Sequence, residues 1–329
     1  MRIAISLLAL PIAVTCFAPG RYHLNKHMGV QNYVPTAVTT QLWSAKKTQK
    51  PDDSDKKKEK DAKSAPEDIK SAVEDAAKES TTALANINLP SSILTDPTLL
   101  PKIPNNAKRL FLVRHGEVIP PGGKHGVFYG AMDIPLSPLG KAEAGAAAKF
   151  LQKYKLHQVC SSPLKRAMYG SNEVMLYQEK AFMHETMFKR MKIDHGFSEL
   201  NRGTWCGKTK DQIGDDLMAR FNACDLSATP RGGESYPVLC QRVLAARDAL
   251  LEITDPGRAS CVVSHLQVTR AILADALDVP TTQLTDIEVG TASISCVDYD
   301  VDTGEQTVHY MSFKPEVGLA TAEDGGNYV

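Results

Sequence analysis

Across 329 residues, Lys and Arg total 38 and Asp and Glu total 38, so no net charge is left to attract a polyanion or an acidic membrane surface. The 7 cysteines include no C-x-x-C pair and no Cys/His spacing of a zinc site, so neither a structural metal nor a disulfide framework is expected. Cys16 lies in an N-terminal leader, while Cys160 and Cys261 fall in apolar, strand-like runs where a small buried hydrophobe is expected. No G-x-G-x-x-G follows the first strand-like run, which sets aside a dinucleotide-dependent oxidoreductase. Asn-x-Ser/Thr is absent too, which counts weakly against a glycosylated secreted product, and no internal repeat is found. What remains, 43% hydrophobic and 23% charged residues, is ordinary for a soluble globular protein of one large domain or two small ones.

The leader holds one early arginine and an apolar stretch from Ile3 to Val14, too short to span a bilayer but suited to a signal-peptide core ending near residue 16. Phe17-Ala18-Pro19 follows at once, and residues 17–50 carry Arg21, Lys26, Lys46 and Lys47 with no acidic residue. This arrangement resembles the bipartite plastid-targeting presequence of algae with secondary plastids. It implies a plastid (chloroplast) location, with secretion or the endomembrane system as the alternative, and no membrane segment in the mature form. Residues 51–104 read as a linker: "PDDSDKKKEKDAK" cannot bury anything, and a thin apolar stripe of Ile69, Val73, Ala77 and Leu84 after Ser64 and Pro66 suggests one short helix. The folded domain is expected over 105–329.

From Lys108 onward, strand-like and helix-like runs alternate. "RLFLVR", "HQVCSS" and "SCVVSH" read as strands, each followed by a helical pattern, and "ASISCVDYD" and "QTVHYMSF" as closing strands. "TKDQIGDDLMARF" reads as one helix, and "ESYPVLCQRVLAARDALLEI" as a long helix with Pro237 in its first turn. The pattern predicts an α/β fold, a three-layer sandwich on a largely parallel central sheet, whose ligand sits beyond the carboxyl ends of the strands. Those ends carry Arg114-His115, Ser161-Ser162 with Arg166 one turn on, and Ser264-His265. Such cations should not be buried without compensation. A phosphate suits them, because the guanidinium fork matches phosphoryl oxygens in pairs.

"LFLVRHGE" resembles the signature of the histidine phosphatase superfamily, the phosphoglycerate mutase-like fold. "YGAMDIPLSPLGKAEA", "VCSSPLKRA", "SELNRGTWCGKT", "RGGES" and "VVSH" resemble its later segments, in its order, through much of 109–313. The resemblance implies that His115 is the nucleophile, forming a phosphohistidine. It implies that Arg114, Arg166 and His265 hold the phosphoryl oxygens, and that Glu199 protonates the departing alkoxide and then activates water. Leu266 stands where the family often has glycine, and its backbone N–H is the expected phosphate contact. Glu117 is expected to support the signature loop, Trp205 and Tyr129 either line the pocket or pack in the core, and Lys124 and His125 stand where many members have an asparagine.

These residues imply a metal-independent phosphomonoester hydrolase with no cofactor, acting on a small phosphorylated substrate. The short stretch between Glu199 and Arg231 suggests a relatively open pocket, which favours hydrolysis over mutase-type transfer. A protein phosphatase and a non-catalytic phosphate-binding protein are the other readings. Oligomeric state is not legible in the sequence, and no nucleic-acid partner is expected.

Overall fold

The computed structural model describes residues 93–123, 126–182 and 191–317. The targeting segments, the helix suggested after Ser64, Lys124 and His125 lie outside the described residues. Strand β1 (Ala107–Arg114) occupies the middle of a six-stranded sheet with β2 (Leu156–Ser161), β3 (Lys192–Ile193), β4 (Ala259–Ser264), β5 (Ile294–Asp300) and β6 (Gln306–Phe313), in the order β3-β2-β4-β1-β5-β6. β3, β2, β4 and β1 pair in parallel, and β5 lies antiparallel between β1 and β6.

The alternation of side chains along β1 builds the three layers. Leu110 and Leu112 point into one apolar cluster, which helices α5 (Tyr236–Glu252) and α6 (Leu266–Ala276) complete. Phe111 and Val113 point into the other, completed by α1 (Pro138–Leu151) and α2 (Lys165–Phe182). Covered on both faces, β1 and β4 are apolar through their centres, at Leu110–Val113 and Cys261–Val263, which appear in the sequence as short hydrophobic runs. Helix α1 starts where Ser137 accepts the Gly140 N–H and Pro138 supplies a preset φ.

Two boundaries differ from the sequence reading. The run "TKDQIGDDLMARF" forms two helices, α3 (Lys210–Ile213) and α4 (Asp215–Asn222), because Gly214 at φ +97° breaks the path between them. Packing also begins upstream of Asn105. Ile93 joins one core cluster, Leu94, Leu100 and Ile103 the other, and the Pro101 carbonyl accepts from Arg109 Nη1 at 2.9 Å. The apolar residues of "SSILTDPTLLPKI" thus serve as cover for the sheet, so the stretch does not end as linker.

Candidate active site

Because β2, β4 and β1 are neighbours, their carboxyl ends meet, with Arg114 in register with Ser264 and Ser161 with Val263. Above them lies a cavity of about 280 Å³ walled by Arg114, His115, Tyr129, Glu199 and Leu266, and closed on one side by Met218 and Asn222 of α4. Residues from the short stretch after Glu199 thus form part of the wall.

His115 sits at 3% exposure with its ring fixed from behind. Its Nδ1 lies 2.7 Å from the Gly116 carbonyl, which can only accept, so Nδ1 carries the proton. Burial, together with the guanidiniums of Arg114 and Arg166, holds its pKa well below the ordinary imidazole value of 6.5. The ring is then neutral, and its other nitrogen, Nε2, keeps a free lone pair. The peptide that accepts Nδ1–H is itself gripped at its far end, where the Glu117 N–H donates to Glu143 Oε2 at 2.8 Å. Lys314 Nζ in turn donates to Glu143 Oε1 at 2.5 Å, compensating a carboxylate that is 4% exposed. Glu117 supports the same loop by accepting from the Ser137 hydroxyl. There is no room for a side chain here: a Cβ on Gly116 would collide with the Gly140 carbonyl, and one on Gly140 with the Glu117 carbonyl.

The cations around His115 have carbonyl partners in place of carboxylates. Arg114 Nη1 donates to the Val289 carbonyl at 2.6 Å, and its buried Nε has no partner. Arg166 donates from Nη1 to Met132 at 2.5 Å and from Nη2 to Gly130 at 2.7 Å, again leaving Nε unpartnered. Burial lowers the pKa of both below the usual guanidinium range. Arg166 and His265 do not line the cavity itself. Arg166 packs its guanidinium over the Tyr129 ring at 5.4 Å, and His265 stands edge-on to His115 with ring centres 5.2 Å apart. His265 Nε2 is 2.7 Å from the Ser162 hydroxyl, its Nδ1 is buried without a partner, and burial followed by His115 and Arg166 pushes its pKa well down.

Glu199 borders the cavity and also a second cleft, of about 550 Å³, on its other side. Its carboxylate accepts from the Leu200 N–H at 2.7 Å and the Gln267 N–H at 3.4 Å, the latter in the first turn of α6. Leu266 opens that helix directly after its N-cap residue His265, and it is not among the residues with positive φ. The place needs no glycine: Leu266 reaches the cavity wall with ordinary helical backbone.

Tyr129 lines the cavity, but Trp205 does not. The residue is 4% exposed and its ring meets that of Phe221 edge-on with centres 5.1 Å apart, so it is core packing. Sequence reasoning missed Arg202, Gln267 and Arg270, all in the cavity wall. The available signal was spacing: Arg202 lies in the same loop as Glu199, and Arg270 is one helical turn beyond Leu266. Among the described residues no cluster of His, Cys, Asp and Glu could hold a metal ion, and no helix is long and apolar enough to cross a membrane.

A neutral imidazole with one nitrogen anchored lines the cavity together with the guanidiniums of Arg114, Arg202 and Arg270 and one carboxylate, a setting complementary to an anionic group. The family model of the histidine phosphatase superfamily, branch 1, matches residues 110–311, and the chain belongs to that superfamily. A bifunctional protein of Mycobacterium tuberculosis is 28% identical over 197 residues, covering 59% of this chain and 51% of the relative, so the chain spans about half the length of that curated relative. The glucosyl-3-phosphoglycerate phosphatase of the same organism is 29% identical over 183 residues, covering 53% of this chain and 77% of the relative. A solved phosphoglycerate mutase from Bacillus anthracis shares the fold, with TM-score 0.53 and 22% identity over 64% of this chain and 94% of that one.

Proposed function

We propose that the protein hydrolyses phosphomonoesters of small metabolites through a phosphohistidine on His115, without a metal cofactor. The observation that carries this reading is the state of His115: neutral by burial, its Nδ1–H held by Gly116, and at the cavity wall beside Arg114. Nε2 attacks phosphorus, the ester P–O bond breaks, and Glu199 gives its proton to the departing alkoxide. In the second half Glu199 takes a proton from water, which attacks the phosphohistidine and releases inorganic phosphate with His115 restored. Arg114, Arg166 and His265 stabilise the charge spread over the phosphoryl oxygens, and the N–H of Leu266 at the start of α6 adds a donor. The cavity, at about 280 Å³, sits at the small end of ligand pockets (~300–1,000 Å³), which suits a metabolite better than a phosphopeptide. The phosphatases named among its relatives support the same reading.

The test is hydrolysis of 4-nitrophenyl phosphate by the full chain with EDTA present, beside His115→Ala. The expected result is phosphate release by the wild type, an acid-labile phosphoryl adduct on His115, and a loss of at least about 10³-fold in the variant. Net transfer between phosphoglycerates in place of release makes the protein a mutase. Release that survives His115→Ala overturns the mechanism. The leader supports import into a plastid as part of this proposal; a fluorescent fusion of residues 1–50 that stays in the secretory pathway overturns it.

A further inference from the structure

Buried and half-buried arginines fall into two groups in this protein. Arg109 pairs with Asp298, Arg242 with Glu234, and Arg247 with Asp275 and Asp248. Arg114, Arg166, Arg202 and Arg270 pair with no carboxylate among the described residues; Arg114, Arg202 and Arg270 line one cavity, and Arg166 lies behind it over the Tyr129 ring. Arg114 and Arg166 are accounted for by the phosphoryl group. Arg202 and Arg270 are a surplus.

Arg202 is 6% exposed. Its guanidinium lies over the ring of Phe128 at 4.7 Å and near that of Phe221 at 5.5 Å, and its Nη1 is buried with no hydrogen-bond partner. Arg270 is steadied by donating from Nε to the Ile287 carbonyl at 2.7 Å and from Nη2 to the Thr285 carbonyl at 2.9 Å. Tyr236 interacts with both: it hydrogen-bonds Arg202 and feels the charge of each. Burial lowers the pKa of Arg270 below the usual guanidinium range, and the charges of Arg114 and Arg202 lower it further. Glu199 is the one acidic residue in the cavity wall. Two largely buried cations lining one cavity, one with an unused donor, are costly unless an anion joins them.

We propose that Arg202 and Arg270 form a second anion subsite, so that the substrate is a phosphomonoester bearing a further anionic group, a carboxylate or a second phosphate. The proposal rests on the phosphatase reading above. The reacting phosphoryl group occupies the floor beside His115, and the second group is held between Arg202 and Arg270. With about 280 Å³ available, the two groups are separated by a short carbon chain. The aromatic faces around Arg202 keep its fork fixed in direction, which suits a planar carboxylate or a phosphate.

The experiment uses size-matched pairs with the full chain. 3-Phosphoglycerate is compared with glycerol 3-phosphate, and propane-1,3-diol bisphosphate with its monophosphate. Two quantities are read: kcat/KM in the wild type and binding to His115→Ala by calorimetry. The expected result is a preference of about tenfold or more for at least one doubly anionic member, the factor one charge-assisted hydrogen bond supplies. That ratio should collapse toward one in Arg202→Met, which keeps the stem between the aromatic rings, and recover in part in Arg202→Lys. The pair that shows the preference tells carboxylate from phosphate. Equal turnover and equal binding of both members of each pair overturn the subsite and leave the phosphatase reading standing. Selective binding without turnover of any ester, 4-nitrophenyl phosphate included, upholds the subsite and overturns the phosphatase reading.

Discussion

Strand β1 has a buried arginine near its start and another at its end, and they are built in opposite ways. Arg109 makes paired bonds of 2.7 Å to both oxygens of Asp298. His309 closes the group by donating to the same carboxylate at 2.8 Å. Burial alone would raise Asp298, yet hydrogen bonds from His309 and Arg109 hold its carboxyl below the ordinary value. Arg114, five residues along the same strand, meets a carbonyl, a tyrosine and an unpaired Nε. One arginine is finished by the fold. The other, in the cavity wall, keeps a buried donor without a partner, and this contrast separates a charge closed by the fold from one the fold leaves open.

Exchanging the two for the same residue should therefore give opposite results. Arg114→Met is expected to lower kcat/KM by about 10²–10³-fold while leaving the urea midpoint near that of the wild type. Arg109→Met strands Asp298 in the core and should cost about 3–5 kcal/mol in urea unfolding, with kcat/KM of the remaining folded protein close to normal. Equal losses of stability in both variants would erase the distinction.

A pH titration of stability sharpens it next. His115 and His265 are depressed in the folded state, so below about pH 6.5 the unfolded chain binds protons that the folded chain refuses. Their contribution is fully present above that pH and is lost as pH falls from the unfolded value toward the folded ones. The slope should approach about 1.4 kcal/mol per pH unit for each histidine, and His265→Asn should remove its share. A slope unaltered by that substitution would place the acid sensitivity elsewhere. The smallest expected effect is that of Ser137→Ala. It removes the cap of α1 and the hydroxyl that Glu117 accepts, for about 1 kcal/mol in thermal unfolding.

The floor of the site was legible because it is local. An apolar run ending in Arg114-His115 states both the strand and the buried charge, and the parallel order of β2, β4 and β1 brings Arg166 and His265 alongside. The rest depends on distant packing. Arg202 and Arg270 read as ordinary polar positions in a loop and on a helix, and only the docking of α6 beside the 199–205 loop turns them toward one cavity. Trp205 could not be placed from sequence for the same reason: an aromatic in a loop can face the pocket or the core, and its contact with Phe221 puts it in the core. The division at Gly214 was missed because the helical pattern on either side continues through it.

Gly116 and Gly140 touch backbone to backbone, and the clearance at that joint is less than one carbon atom. The aim of His115 is thus set by main chain, which has no rotamers with which to yield. Substitutions elsewhere in the cavity can produce a graded series of weaker or differently selective proteins. At these two positions the response is a step, because even a single Cβ has no space between the loop of His115 and the helix against which it packs. Variation among descendants of this sequence has its freedom in the upper wall and almost none at the hinge of the floor.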